Sequence, residues 1–495
     1  MYPTIEEAKA FAASGAYQRI PVSMELFADG FTPIEVIRTL RAASKHCFLL
    51  ESAEDSVQLG RYSFLGYAPS LELTCSGGRL RITYDPESED ARTEERTVVH
   101  PGDAIRRIIR EYQSPKIPGL PPFTGGLVGY FSFEYLQYAE PSLRETAPGG
   151  GDFLDVDLML FDRLLVFDNY RQKLILIAGA DTSDLESGYR KAETALREMA
   201  ELLRSGAKAA FRPLQLETPL ELAFSRERFI QMVDRARHYI HEGDIFQVVL
   251  SNPMEAEARG NLLDVYRVLR TTNPSPYMFY FTSDSIEVAG ASPETLVKLV
   301  DGTLHTFPLA GTRPRGRTPE EDKRLERELL ADEKELAEHN MLVDLGRNDL
   351  GKISRLGSVR VEKYQSIERF SHVMHIGSTV SGEIRQDRDA VDAVDAILPA
   401  GTLSGAPKLR ACEIIQELEG RSRGVYGGAI GYLDLTGNLD VCISIRLAYK
   451  KGKRLCVQSG AGIVADSVPE NEYLECRNKA KAVVQAIETA EGGIL

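Results

Sequence analysis

The chain has 495 residues, 43% of them hydrophobic and 27% charged, with a formal net charge of −14. That composition fits a globular protein with a large core, arranged as two large units or about three of 150 residues. The acidic balance argues against nucleic acid or an anionic membrane as the main partner, although a locally positive site can still take an acidic substrate.

The opening residues, Met1-Tyr2-Pro3-Thr4-Ile5-Glu6-Glu7, show neither a basic n-region nor an apolar core, so no signal peptide is expected. A helical stretch is followed by strands at Cys47–Ser52, Tyr62–Gly66 and Leu71–Cys75, and by a polar loop at Asp85–Arg96. Apolar runs such as Leu174–Ala180 are too short to span a bilayer. A helix is predicted over Ser183–Ser205, with a linker at 206–224. These boundaries divide the chain into a first unit at 1–205, the linker, and a second unit at 225–488.

From Ser225 the patterns lengthen. Phe229, Met232, Val233, Ala236, Tyr239 and Ile240 mark an amphipathic helix leading into a strand at Ile245–Leu250. One helix is predicted from about Glu320 to Leu345, and strands at Gly427–Leu435, Val441–Leu447 and Leu455–Ser459. One internal echo sets Gly125-Gly126-Leu127-Val128-Gly129-Tyr130 against Gly427-Gly428-Ala429-Ile430-Gly431-Tyr432. A single echo is weak evidence for duplication. Six cysteines (Cys47, Cys75, Cys412, Cys442, Cys456, Cys476) carry no C-x-x-C spacing and read as reduced thiols of a cytoplasmic protein.

Several segments carry residues suited to chemistry. Gly460-Ala461-Gly462 reads as a tight turn with free N–H groups, ahead of a helix bearing Glu472, Glu475, Arg477 and Lys479. Exposed N–H groups and cations hold anions, and a carboxylate close by suggests a bridging metal. Gly460-x-Gly462-x-x-Ala465 also matches a relaxed dinucleotide fingerprint, but no helix opens directly on it. The helix signal comes later, with Ser467 as N-cap and Pro469 in the first turn. Glu338 stands in register with Leu342 and Leu345, on the stripe its helix should bury. Periodicity alone favours a boundary glutamate paired with a base. With Glu475 as second carboxylate, Mg²⁺ becomes reasonable. His372 and His375 are three apart, so on a strand at most one faces a pocket. Gly401–Lys408 lacks phosphate-loop spacing and reads as a substrate-facing loop. Pro308–Gly316, alone, reads as a basic loop.

Taken together and in this order, these blocks resemble the chorismate-using enzymes. The matching segments are Gly243–Val249, Ala291-Ser292-Pro293-Glu294, Pro308–Gly316, Asp344–Leu350, His372–His375, Gly401–Lys408, Tyr426–Tyr432 and Gly460–Ala480. The resemblance implies an α+β fold: a complex sandwich of two large, mostly antiparallel sheets flanked by helices. Relatives that add water to the ring carry lysine where this chain has Gln247. Aminodeoxychorismate synthases typically carry a nucleophilic lysine where this chain has Ala310, and a methyl group cannot attack. Ammonia is then the attacking species, as in the anthranilate synthase component I branch. Aminodeoxychorismate synthase component I and a non-catalytic tryptophan-sensing homologue are the alternatives.

By the same resemblance, Glu338 and Glu475 would hold Mg²⁺. Gly460, Ala461 and Gly462 would offer N–H groups to a substrate carboxylate, with Gly311, Thr312, Tyr426, Arg446 and Lys479 completing the pocket. Glu294 would be the general acid, and His375, Gln247 and Thr402 would complete the catalytic set. Leu50, Glu51 and Ser52, with Pro276, Tyr277 and Met278, resemble segments of a tryptophan feedback site to which the first unit contributes. No cysteine lies in a glutaminase elbow. A separate glutamine amidotransferase subunit (component II) is therefore the expected partner, with chorismate and ammonia as substrates and tryptophan as inhibitor.

Overall fold

Strand burial explains the layering. Leu71–Ser76 alternates buried and half-buried residues, whereas Gly126–Phe131 and Val156–Phe161 are buried at every position, as central strands covered on both faces must be. The computed structural model describes residues 1–52, 60–143, 153–210, 212–369 and 373–494. Its strands form two sheets of 13 and 12 strands whose pairings are antiparallel. The expected sandwich is the observed one. Phe48, Phe64, Phe123, Tyr130, Met159, Phe161, Phe279 and Ile430 fill the layer between the sheets, and helices cover the outer faces.

Both sheets are assembled from both halves of the chain. In the larger one, Arg19–Phe27, Lys173–Asp181, Arg163–Asp168, Tyr62–Tyr67 and Cys47–Glu51 run inward from one edge. Tyr277–Thr282, Glu287–Ser292, Leu447–Lys451, Arg454–Ile463 and Gln247–Arg259 continue outward in mirrored order. The smaller sheet repeats this about Gly126–Phe131 and Ala429–Asp434. The echo noted in sequence is this seam: its two segments pair directly, with Gly129 opposite Gly431. In the first half three strands lie in the larger sheet, the next five in the smaller, and the last two return; the second half repeats this pattern with added strands, Leu309–Pro314 and Arg360–Arg369 among them. Duplication is thus visible in topology where it was faint in sequence.

Some boundaries differ from expectation. The helix expected at 320–345 is two, Pro319–Leu330 and Glu333–Gly351, because Asp332 accepts from the Glu335 N–H and caps the second. The 85–96 loop ends early, since Arg92–Thr97 pairs with Arg79–Tyr84. Two short strands in 206–224, Gln215–Leu216 and Glu221–Leu222, add to Gln247–Arg259. The strand expected at Val441–Leu447 breaks into Leu439–Ile443 and Leu447–Lys451, with Arg446 between them at φ +50°. A positive φ is uncommon for a side-chain-bearing residue and concentrates at functional sites.

Candidate active site and a second cavity

Gly460-Ala461-Gly462 lies inside the strand Arg454–Ile463, opposite Ser251, Leu250 and Val249, and forms no turn. The expectation of a glycine turn is therefore corrected. The pleat supplies the anion-binding groups instead. Alternate N–H groups of an antiparallel strand point away from its partner, and on that far side Leu447–Lys451 pairs no further than Val457. A Cβ on Gly460 would stand 2.7 Å from the Leu250 carbonyl oxygen and 3.0 Å from the Tyr426 hydroxyl, and one on Gly462 2.8 Å from Gln247 Nε2. At Gly460 the clash is with backbone and leaves no room for a side chain, whereas at Gly462 the Gln247 amide would have to give way.

This unpaired edge forms one wall of a cavity of about 510 Å³, a size usual for small-molecule sites. Gln247, Glu294, Gly311, Thr312, Glu338, His375, Thr402, Tyr426, Arg446, Gly460, Gly462, Glu475 and Lys479 all line it. Ala461 does not: alternation turns its methyl into the apolar cluster with Leu250 and Ile415. Ala310 and Lys334 also reach the cavity. His372 lies outside the described residues.

Two helices face each other across the opening, each bringing a pair of glutamates one turn apart: Glu335 and Glu338 on Glu333–Gly351, Glu472 and Glu475 on Pro469–Ala490. Glu335 and Glu472 were not singled out as ligands, although their i, i+3 spacing to the chosen pair was available in the sequence. The Glu338 carboxylate makes no hydrogen bond or ion pair with a described residue, and burial, then Glu335, push its pKa up. Among the described residues Glu472 Oε2 has no partner within hydrogen-bond geometry, and burial, partly offset by the Ser467 hydroxyl, raises that carboxyl too. Lys479 pairs with Glu475 at 2.8 Å, and Arg313 lies 3.7 Å from Glu335. Carboxylates crowded against one another with an orphaned oxygen among them suit a hard divalent cation, which takes one or two carboxylates and completes its shell with water and substrate oxygens. The helix that presents Glu472 begins one residue later than expected, with Val468 as N-cap, because the Ser467 hydroxyl accepts from the Val464 N–H.

On the opposite wall, burial pushes the Glu294 carboxyl up to about 7, partly offset by a hydrogen bond from the Thr402 hydroxyl at 3.2 Å. Near neutral pH this group can therefore give up a proton. His375 Nδ1 lies 2.8 Å from the Gly311 carbonyl oxygen, which only accepts, so Nδ1 carries the hydrogen and Nε2 is the basic nitrogen. Burial holds its pKa below the usual histidine value. The Arg446 guanidinium makes no hydrogen bond or ion pair with a described residue and opens onto the cavity. Beneath the floor, fully buried Arg423 donates to Glu419 and to the carbonyls of Leu403 and Val249, both on the cavity wall.

A second cavity, of about 110 Å³, lies between the sheets at the seam of the two halves. Leu50, Glu51, Ser52, Pro276, Tyr277 and Met278 all line it, drawn together because Cys47–Glu51 pairs with Tyr277–Thr282. Tyr62, Phe64 and Tyr432 add aromatic walls, and Lys298 and Asp440, paired at 2.9 Å, add charge. Glu51 accepts from Tyr266 and Arg270, which ties this wall to the helix Leu263–Thr272.

A chorismate binding enzyme family profile matches residues 45–485. An anthranilate synthase component 1 from Acetivibrio thermocellus is 44% identical, with 99% of each chain covered, and one from Aquifex aeolicus is 42% identical over 99% of this chain and 98% of its own. The crystal structure of anthranilate synthase component I from Streptococcus pneumoniae superposes with a TM-score of 0.73 at 40% identity, covering 87% of this chain and 93% of that one. The menaquinone-specific isochorismate synthase of Escherichia coli shares the fold, with a TM-score of 0.69 at 20% identity over 98% of both chains.

Proposed function

The chain belongs to the chorismate binding enzymes, and from that premise we propose that it catalyses the anthranilate synthase reaction as the chorismate-binding subunit. Ammonia adds to chorismate with loss of water, and loss of pyruvate then yields anthranilate. The observation that carries this reading is the single 510 Å³ cavity lined by every catalytic, substrate and metal candidate except Ala461.

Its residues divide the work by chemistry. The edge N–H groups of 458–462, with Arg446 and Lys479, bind the substrate's carboxylates. Glu338 and Glu475 fit Mg²⁺, which when bound would supply positive charge to a substrate carboxylate. Glu294, half protonated near pH 7, delivers a proton to the departing ring hydroxyl. His375 Nε2 is positioned to take the ring proton as the product becomes aromatic. Gln247 and Ala310 offer neither a base for water nor a nucleophilic amine, which leaves ammonia as the nucleophile. Six free, buried cysteines support a reducing, cytoplasmic setting, and among the described residues no helix is long and apolar enough to cross a membrane.

The second cavity supports feedback inhibition by tryptophan. It is aromatic, has a charged pair at one end, and lies on strands from both halves, so a bound ligand bears on both. Ammonia would come from a glutamine amidotransferase partner. The test is turnover by the purified chain alone: anthranilate fluorescence should appear with chorismate, Mg²⁺ and ammonium, and not with glutamine. Anthranilate from glutamine alone would contradict the two-subunit reading, and none from ammonium would contradict the function.

A further inference from the structure

Four side chains from four separate segments meet at one end of interior strands of the two sheets, and none lines the 510 Å³ cavity. His46 precedes Cys47–Glu51, and Asp284 sits in the turn between Tyr277–Thr282 and Glu287–Ser292, both in the larger sheet. Glu72 and Asp157 come from Leu71–Ser76 and Val156–Phe161 in the smaller one. Ligand atoms of His46, Glu72 and Asp284 all lie within 4.8 Å of one another, the one such group of three among the described residues.

Two orphaned atoms point into this group. His46 is 1% exposed, and among the described residues its Nε2 has no hydrogen-bond partner; the nearest acidic oxygen, Asp284 Oδ2, is 3.6 Å away. Asp157 is fully buried against Glu72; its Oδ2 accepts from the Ser283 and Ser285 hydroxyls at 2.8 Å, and among the described residues its Oδ1 has no partner within hydrogen-bond geometry, with the Glu72 carboxyl beside Asp157. Among the described residues, none of Glu72, Asp157 and Asp284 forms an ion pair with a lysine or arginine. Burial, with Asp157 beside it, pushes the Glu72 carboxyl up to about 8, and Glu87, Glu72 and Asp284 raise the His46 pKa against the effect of burial, so protons balance this buried group and a cation entering it would displace them.

The other side of the imidazole is held as a metal-binding histidine's usually is. His46 Nδ1 lies 2.8 Å from Glu87 Oε1, which also accepts from the Ser44 hydroxyl and the backbone N–H groups of Lys45 and His46. A carboxylate only accepts, so Nδ1 carries a hydrogen and Nε2 is left facing Glu72 and Asp284, where an ion that displaces a proton would find it. A carboxylate fixing the tautomer and aim of a histidine is the recurrent outer shell of zinc sites.

We propose that His46, Glu72 and Asp284, backed by Asp157 and oriented by Glu87, form a second divalent-cation site that takes a zinc-like transition ion and clips the two sheets together. One imidazole with carboxylates favours such an ion over Mg²⁺ or Ca²⁺, which prefer all-oxygen shells. Tetrahedral binding at about 2.0–2.2 Å brings donors to about 3.4 Å apart, so the present spread of up to 4.8 Å needs a contraction of up to about 1.4 Å. Asp284 is exposed and in a turn, and is free to make that movement.

The test uses the full chain, stripped with chelator and titrated with Zn²⁺ by calorimetry in saturating Mg²⁺, which occupies the hard-cation site in the cavity. The wild-type chain should bind one Zn²⁺ and show a raised thermal midpoint. His46→Gln and Asp284→Asn should lose both effects, and Glu87→Gln should weaken binding about 10–100-fold while keeping the stoichiometry. Asp284→Asn alters an exposed turn residue and remains informative if His46→Gln fails to fold. Unchanged Zn²⁺ stoichiometry and affinity in Asp284→Asn, or no Zn²⁺ bound by the wild-type chain, would overturn the proposal. The readout is binding, so it stands or falls apart from the proposed activity.

Discussion

Glu294 offers the sharpest kinetic prediction. Its carboxyl is pushed up to about 7 by burial, so the free enzyme is half protonated near pH 7 and about one-tenth protonated at pH 8. If this group must donate a proton, kcat/KM at constant free ammonia should fall about tenfold per pH unit above 7, because kcat/KM reports the free enzyme. Glu294→Gln should lower the rate by about 10²–10⁴ and abolish that limb. Thr402→Val gives a signed test. The threonine hydroxyl donates to the carboxylate and favours its charged form, so removing it raises the pKa and moves the limb to higher pH. A hydrogen bond to a charged group is worth about 1.5–3 kcal/mol and one pKa unit is about 1.4; at 3.2 Å the bond is long, so a shift of about one unit is expected. The assay is anthranilate fluorescence across pH with total ammonium adjusted at each point. A limb that persists in Glu294→Gln, or moves to lower pH in Thr402→Val, refutes the assignment.

Glu338→Gln should abolish Mg²⁺-dependent turnover without lowering the melting temperature, since it removes one of several crowded charges; retained turnover would remove Glu338 from the metal site. Gly460→Ala should raise KM for chorismate and cost about 1–3 kcal/mol in denaturant unfolding, because the new methyl meets the Leu250 carbonyl. Ser52→Phe should fill the 110 Å³ cavity and weaken inhibition by tryptophan while leaving the uninhibited rate nearly unchanged; steady-state inhibition curves decide it. Arg423→Met should cost about 3–5 kcal/mol, since it strands buried Glu419, and adding Glu419→Gln should recover part of the loss.

Motif wording carried the fold class and nearly the whole cavity, because those segments encode backbone positions that a substrate touches. Geometry was harder to read. Gly460-Ala461-Gly462 looked like a turn because glycines commonly make turns, yet here the small residues let one strand lie against Tyr426 and Gln247. The break at Arg446 was hidden inside an apolar run, although it is what turns a guanidinium into the cavity. Glu335 and Glu472 were missed because a helix start is rich in acids for capping reasons alone. The topological duplication left one hexapeptide echo, since pairing geometry outlasts side-chain identity. His46, Glu72, Asp157 and Asp284 show no spacing at all: each comes from a different strand or turn, and only folding unites them.

The central claim, that this cavity aminates chorismate and releases pyruvate, is tested most directly by product mass. Purified chain, chorismate, Mg²⁺ and ¹⁵N-ammonium should give ¹⁵N-labelled anthranilate and an equal amount of pyruvate. Unlabelled isochorismate, or labelled 4-amino-4-deoxychorismate without pyruvate, would contradict the account.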